Sequence, residues 1–196
     1  PQTVIDAISA ALVTAASNVG GAFAASRDST AQVAAALDHP NICTIYEFDE
    51  DGEHVFMAVA YVEGEDLKQK VKRGPLPLEN VMDFATQIAR GLEAAHKKGV
   101  IHRDIKPSNV VLDKDGNPWL ADFGLAQLVD ADTLTQTGDL LGTYLYMSPE
   151  QAEMSSLDVD TRSDIYSLGV LLYELLTGTT PLEGERLRTA GYAEMQ

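Results

Sequence analysis

Asp104, Lys106, Asn109 and Asp122 are the side chains whose types and spacing could do chemistry together, and that chemistry is the transfer of a phosphoryl group. A phosphoryl group in flight carries concentrated negative charge, so its transfer depends on positioning and on cations aimed at that charge. Asp104 can accept a hydrogen bond from an attacking hydroxyl and orient it in line. Asn109, five residues on, can present a neutral oxygen to a magnesium ion, and Asp122 can supply a carboxylate to the same kind of hard cation. Lys106 is a compact point charge suited to a phosphate. Taken singly, each has a plainer reading as a surface, capping or loop residue; their order and spacing argue for the joint one.

The elements that would position these groups can be read from periodicity. Val81, Phe84, Ile88, Leu92 and Ala95 recur every three or four residues, which predicts an amphipathic helix over 78–97 closed by Gly99. Short strands are predicted near 110–112 and 118–121, joined by a turn through Asp113-Lys114-Asp115-Gly116-Asn117-Pro118. Upstream, the apolar runs 42–48 and 54–61 flank the turn-forming Asp49-Glu50-Asp51-Gly52 and read as an antiparallel hairpin, with Gly64 breaking the pattern after it. Helices are expected over 3–17, from Val4, Ile5, Ile8, Leu12 and Ala15, and over 28–37, ended by His39-Pro40-Asn41. Residues 125–147 are polar with four threonines and read as a mobile segment. The stretch Arg162 to Leu176 is apolar on all sides, as for a helix buried at the centre of a lobe.

Composition narrows the class. The 196 residues can bury one sizeable core, with 45% hydrophobic and 22% charged side chains. Thirty acidic against fourteen basic groups leave a net charge of −16 with no basic patch to offset it, which speaks against nucleic acid or an anionic membrane as partner. The lone cysteine, Cys43, sits in an apolar stretch and reads as a buried thiol in a reducing compartment, so the cytoplasm is the expected location. Ala22-Phe23-Ala24 is a faint signal-peptidase pattern, but no basic residue precedes Arg27, which argues against export, and no later run has the roughly twenty apolar residues of a membrane span.

The run His102-Arg103-Asp104-Ile105-Lys106-Pro107-Ser108-Asn109, followed by Asp122-Phe123-Gly124 and Ser148-Pro149-Glu150, resembles the catalytic loop, metal-binding loop and activation-segment end of eukaryotic-type protein kinases. His39-Pro40-Asn41-Ile42 and Met147-Ser148-Pro149-Glu150-Gln151 make it most similar to the bacterial serine/threonine enzymes. The resemblance implies an α+β, two-lobed fold with an incomplete small lobe containing a short antiparallel sheet and a partial helical large lobe. It divides the chain into an atypical N-terminal helical segment, 1–27, a partial small lobe, 28–63, and a partial large lobe, 64–196. It implies ATP and Mg²⁺ as cofactors and a protein serine or threonine as acceptor; the oligomeric state is left open. By the same resemblance, Asp104, Lys106 and Thr143 are catalytic. Val59 is the gatekeeper, the backbone of Ala60 and Val62 meets adenine, and Lys106, Asn109 and Asp122 complete the cofactor site, the last two holding the metal. Asp164 would steady the catalytic loop through backbone hydrogen bonds, His102 would pack beneath it, and Arg103 would pair with a phosphorylated Thr133, Thr135 or Thr137.

The pattern fails at the front. Gly20-Gly21 is only a pair, no lysine precedes Lys68, Arg27 is a weak substitute, and Thr30 stands where the family glutamate is expected. The start at Pro1 without methionine, and an end at Gln196 ahead of the helix that supplies Glu150's usual arginine partner, lead to the expectation of a truncated kinase-gene product. The alternative is an impaired, pseudokinase-like module that binds a nucleotide or a partner. Small-molecule kinases sharing the fold are disfavoured, because they generally lack the Ser148-Pro149-Glu150 segment.

Overall fold

The computed structural model describes residues 16–17, 37–51, 54–123, 140–152 and 159–182. The architecture is α+β, with two three-stranded antiparallel sheets set among helices. In the first sheet β3 (His54–Val59) lies between β1 (Ala16–Ser17) and β2 (Ile45–Asp51). In the second, β5 (Val110–Asp113) lies between β4 (Gly64–Asp66) and β6 (Pro118–Leu120). The strands are followed or separated by α1 (Leu67–Val71), α2 (Leu78–Lys97), α3 (Leu140–Tyr144), α4 (Pro149–Ala152) and α5 (Thr161–Thr177).

The core is the meeting of α2, α5 and the second sheet. Val81, Phe84, Ile88, Leu92 and Ala95 form the buried stripe of α2, and they share one cluster with Leu112, Leu120, Leu168, Leu171 and Leu175. Each large apolar side chain buried this way contributes roughly 1.5–3 kcal/mol. The helix entry is fixed where the Leu76 N–H donates to the Leu175 carbonyl at 2.8 Å. Its exit turns through Gly99 at φ 77°, an angle that costs a residue with a Cβ but not glycine.

Four expectations are corrected. Ala16 and Ser17, read as the end of a helix, are instead a two-residue strand paired with His54 and Val55; an open strand edge offers backbone bonds that outweigh helical propensity in so short a piece. Residues 49–51, read as turn, continue β2 as far as the pair Asp51 and His54. Gly64 starts β4 rather than breaking the pattern: a Cβ there would collide with the Leu112 carbonyl oxygen, so the missing side chain is what lets β4 lie against β5. Finally, α5 is not buried all round. Ser163, Asp164, Ser167, Leu168, Val170, Leu171 and Leu175 face inward, whereas Ile165 is 57% and Tyr173 46% exposed.

Of the remaining expectations, helix 78–97 is observed with those bounds. In the 28–37 helix only Leu37 falls within the described residues, and it is not helical. The rest of that helix, residues 3–15, Gly20-Gly21, Arg27, Thr30, Gly124 and Thr133, Thr135 and Thr137 lie outside them. The segment read as mobile is described only from residue 140, where α3 begins, and the chain after it is tied down: Ser167 Oγ donates to the Tyr146 carbonyl at 2.7 Å. Among the described residues no helix is long and apolar enough to cross a membrane.

Candidate active site

The loop 101–109 is held from beneath by one buried carboxylate. Asp164, fully buried on the inner face of α5, accepts from the His102 N–H at 2.9 Å, from the Arg103 N–H at 2.8 Å and from His96 Nε2 at 2.7 Å. On the other side of Arg103, the Gln151 amide on α4 donates to its carbonyl at 2.8 Å. So clamped, Arg103 holds a left-handed backbone, φ 68°, and Asp122 holds another, φ 63°. Non-glycine residues are uncommon there, and such strain persists where surrounding bonds over-determine it.

His102 joins the two loops. Its Nδ1 accepts from the Asp104 N–H at 3.3 Å, so Nε2 carries the proton and donates to the Ala121 carbonyl at 3.0 Å, while the ring packs on Phe123 with centroids 4.4 Å apart. Complete burial lowers its pKa, with Asp164, Asp104, Asp122 and the Ala121 carbonyl opposing. A base depressed by folding is protonated first in the unfolded chain, so this group destabilises the fold as pH falls below the ordinary histidine value of 6.5. We expect the ring to remain the neutral Nε2–H tautomer at pH 6. Nitrogen-15 ring shifts would read this directly, and an imidazolium signature at that pH would refute it.

Above this floor, four of the sequence-predicted residues form one network. Lys106 Nζ lies 2.7 Å from Asp104 Oδ2 and donates to Thr143 Oγ1 at 3.0 Å. Asn109 Nδ2 donates to both the Asp104 carbonyl and Asp104 Oδ2 at 2.9 Å. Two consequences follow. Both contacts to the Asp104 carboxylate fall on Oδ2, and among the described residues nothing donates to Oδ1. With its nitrogen committed, Asn109 has only Oδ1 for a cation, an atom that Ser108 Oγ touches at 3.2 Å. Thr143 reaches Asp104 through Lys106, and no direct bond joins the two.

Asp122 is brought alongside. The Ala121 N–H donates to the Asn109 carbonyl at 2.9 Å, which fixes the two loops side by side. Although Asp122 as a residue is exposed, protein around its carboxyl displaces enough water to raise its pKa. The Asp104 charge adds to this, while His102 and Lys106 oppose; the His102 contribution requires a charged ring, which burial disfavours. Two carboxylates whose charges repel, beside an amide oxygen, are the oxygen donors a hard divalent cation suits. Among the described residues no group of three or more His, Cys, Asp or Glu is placed to hold a metal.

Val59, Ala60 and Val62 lie apart from this network, at the end of β3 and just after it. They adjoin it through the backbone. The Ala60 N–H donates to the Thr44 carbonyl at 2.8 Å, and the Cys43 N–H to the Leu120 carbonyl at 2.8 Å, two residues before Asp122. Ala60 can therefore offer its carbonyl, but not its N–H, to a ligand. Cys43 is buried, its thiol pushed up to about 11 by desolvation and then by the Asp122 charge, which makes it an inert packing residue.

Several participants escaped sequence reasoning. His96 at the end of α2 and Gln151 in α4 each brace the loop from far along the chain, and only a tertiary contact reveals either. Tyr146 OH donates to Glu174 Oε2 at 2.5 Å; burial, then that bond, hold the phenol proton well above its usual range. Glu150 accepts from Ser163 Oγ at 2.6 Å, a partner that the expectation of a distant arginine did not include. A shallow depression with no room for a water molecule lies between Asp104, Thr143, Tyr146, Met147 and Ser167.

The comparisons with known proteins agree with this geometry. The family model described as protein kinase domain matches residues 25–196, a longer span than the 28–183 that the motifs alone suggest. The chain is 41% identical over 166 residues to the serine/threonine-protein kinase PknL of Mycobacterium tuberculosis, covering 84% of this chain and 41% of that protein. It is 42% identical over 156 residues to PrkC of Bacillus subtilis, covering 79% of this chain and 24% of that protein. To pkn2 of Myxococcus xanthus it is 43% identical over 160 residues, 79% of this chain and 19% of that protein. It thus spans well under half the length of these curated relatives. With most of its length matched and its two loops joined around Asp104, Asn109 and Asp122, the chain belongs to the protein kinase domain family.

Proposed function

We propose that this chain transfers the γ-phosphate of ATP to a serine or threonine hydroxyl of a protein, with Mg²⁺ as the divalent ion. Members of the family use ATP and a divalent metal, and the relatives' names carry the serine/threonine preference. The observation that carries the reading is Asp104, tethered through Oδ2 to Lys106 and Asn109, while among the described residues nothing donates to Oδ1, the atom that would accept from an incoming hydroxyl. Lys106, at 2.7 Å from that carboxylate, sits where it can also meet the oxygens of the group in transit. Asn109 Oδ1 and the Asp122 carboxylate would hold the metal, which when bound neutralises charge on the phosphate oxygens. Val59 and the Ala60 and Val62 backbone would receive the adenine. A reducing, ATP-supplied compartment such as the cytoplasm suits the buried free thiol of Cys43.

One observation favours a second reading. Residues 1–67 contain no lysine, the residue that such enzymes place on a strand against the α and β phosphates. Loss of one preorganised contact of this kind costs on the order of a hundred- to a thousand-fold in rate, which would leave a binding module with little turnover. The experiment separates the two. Incubation with γ-labelled ATP, magnesium and a generic protein substrate is expected to give slow labelling confined to serine and threonine and abolished by EDTA. A melting temperature raised by Mg-ATP with no label incorporated would select the module, and label on tyrosine would overturn the stated specificity.

A further inference from the structure

Against a net charge of −16, the stretch Lys68-Gln69-Lys70-Val71-Lys72-Arg73 gathers four of the fourteen basic residues, and so corrects the expectation that no basic patch exists. It occupies α1 and the turn after it. The buried Leu67 and Val71 anchor that helix, which packs on the 3-10 turn Pro107–Asn109 of the candidate active site. The neighbouring carboxylates are already engaged. Glu65 takes Arg73 at 2.6 Å and Lys70 at 3.7 Å, Glu63 takes Lys114 at 2.6 Å, and Asp66 caps α1 by accepting from the Gln69 N–H at 2.7 Å.

Lys68 and Lys72 are what remain. Both are exposed, neither makes an ion pair among the described residues, and the Lys72 N–H donates to the Lys68 carbonyl, which sets them one helical turn apart on the same face. Like charges at that spacing disfavour a helix slightly, an unfavourable contact that an anionic ligand would relieve. Lys68 also lowers the Glu174 carboxyl that burial raises, after the larger effect of the Tyr146 hydroxyl that donates to it. The pair of cations therefore lies on a helix packed against the turn that carries Asn109.

We propose that Lys68 and Lys72 dock an acidic stretch of the protein substrate, so that this chain selects serines or threonines accompanied by aspartate or glutamate. The inference rests on the phosphotransfer reading above. A molecule this acidic repels an acidic partner at long range, so acceptance of one needs a local cation pair at the site itself.

The test uses fluorescent peptides with a central threonine, preceded either by Asp-Ala-Asp or by Asn-Ala-Asn, and anisotropy with the whole chain. Two exposed charge contacts are expected to make the acidic peptide bind about three- to tenfold tighter. That preference should fade in 0.5 M salt, vanish in the double variant Lys68→Gln/Lys72→Gln, and survive in Lys68→Arg/Lys72→Arg. Lys97→Gln on α2, which removes an exposed cation paired with Glu93, should leave it intact. Equal binding of the two peptides, no binding of either, or a preference that persists in the glutamine double variant would overturn the proposal. Phosphate transfer to the same peptides is measured separately: a charge preference without transfer would sink the enzymatic reading while leaving the docking strip in place.

Discussion

Replacing Asp104 by asparagine is expected to cut phosphate incorporation by about a hundred- to ten-thousand-fold, the range over which a positioned proton acceptor contributes. Asparagine has nearly the same shape, and one of the two Asn109 bonds goes to the residue 104 carbonyl, which the change does not touch. What disappears is the charge. Lys106 loses its 2.7 Å carboxylate partner, and the oxygen open to an incoming hydroxyl can no longer take its proton. Labelling rates measured beside thermal melts distinguish this from unfolding: the melt should move little while the rate collapses. A variant within tenfold of the parent rate would mean that the acceptor proton leaves by another route, and that Asp104 is an anchor for Lys106 and Asn109 only.

The largest effect on stability is expected at Asp164. Changing it to alanine removes the acceptor for the His102 and Arg103 N–H groups and for His96 Nε2, in a place with no water to replace it. Each buried donor left without a partner costs about 1–3 kcal/mol, so a total near 3 kcal/mol or more is expected. For a chain of this size that corresponds to a melting point lower by roughly 6–12 °C. His96→Ala, which removes one of the three contacts and leaves the carboxylate in place, should cost about 1 kcal/mol. The rate should fall as well, because displacement of catalytic groups by about an ångström can cost a hundredfold. A melting point within 2 °C of the parent would show that the loop is held mainly by Gln151 and the His102 ring.

How far these features were legible in the sequence depended on whether the determining forces were local. The helix 78–97 was readable to the residue because a five-membered apolar stripe and Gly99 lie within it or just past it. The turn between β5 and β6 was readable too, since Asp113 itself accepts from the N–H groups of Asp115 and Asn117. Asp104, Lys106 and Asn109 were legible because a short loop must bring them together. By contrast, α5 was misjudged because apolar Ile165 and Tyr173 say nothing about which face is covered. Ala16 and Ser17 were misjudged because the partner that makes them a strand is β3. His96, Gln151 and Ser163 carry no local signal: their roles arise when α2, α4 and α5 meet the loop.

Arg103 and Asp122 share a backbone conformation that side chains of their kind enter only at a cost of about 1–3 kcal/mol each. A library screened for heat resistance alone would therefore drift toward Arg103→Gly and Asp122→Gly, since glycine adopts those angles without penalty. Every such gain would delete a guanidinium or the carboxylate proposed above to hold the cation. These two positions are where natural selection for turnover and laboratory selection for durability would pull the chain in opposite directions.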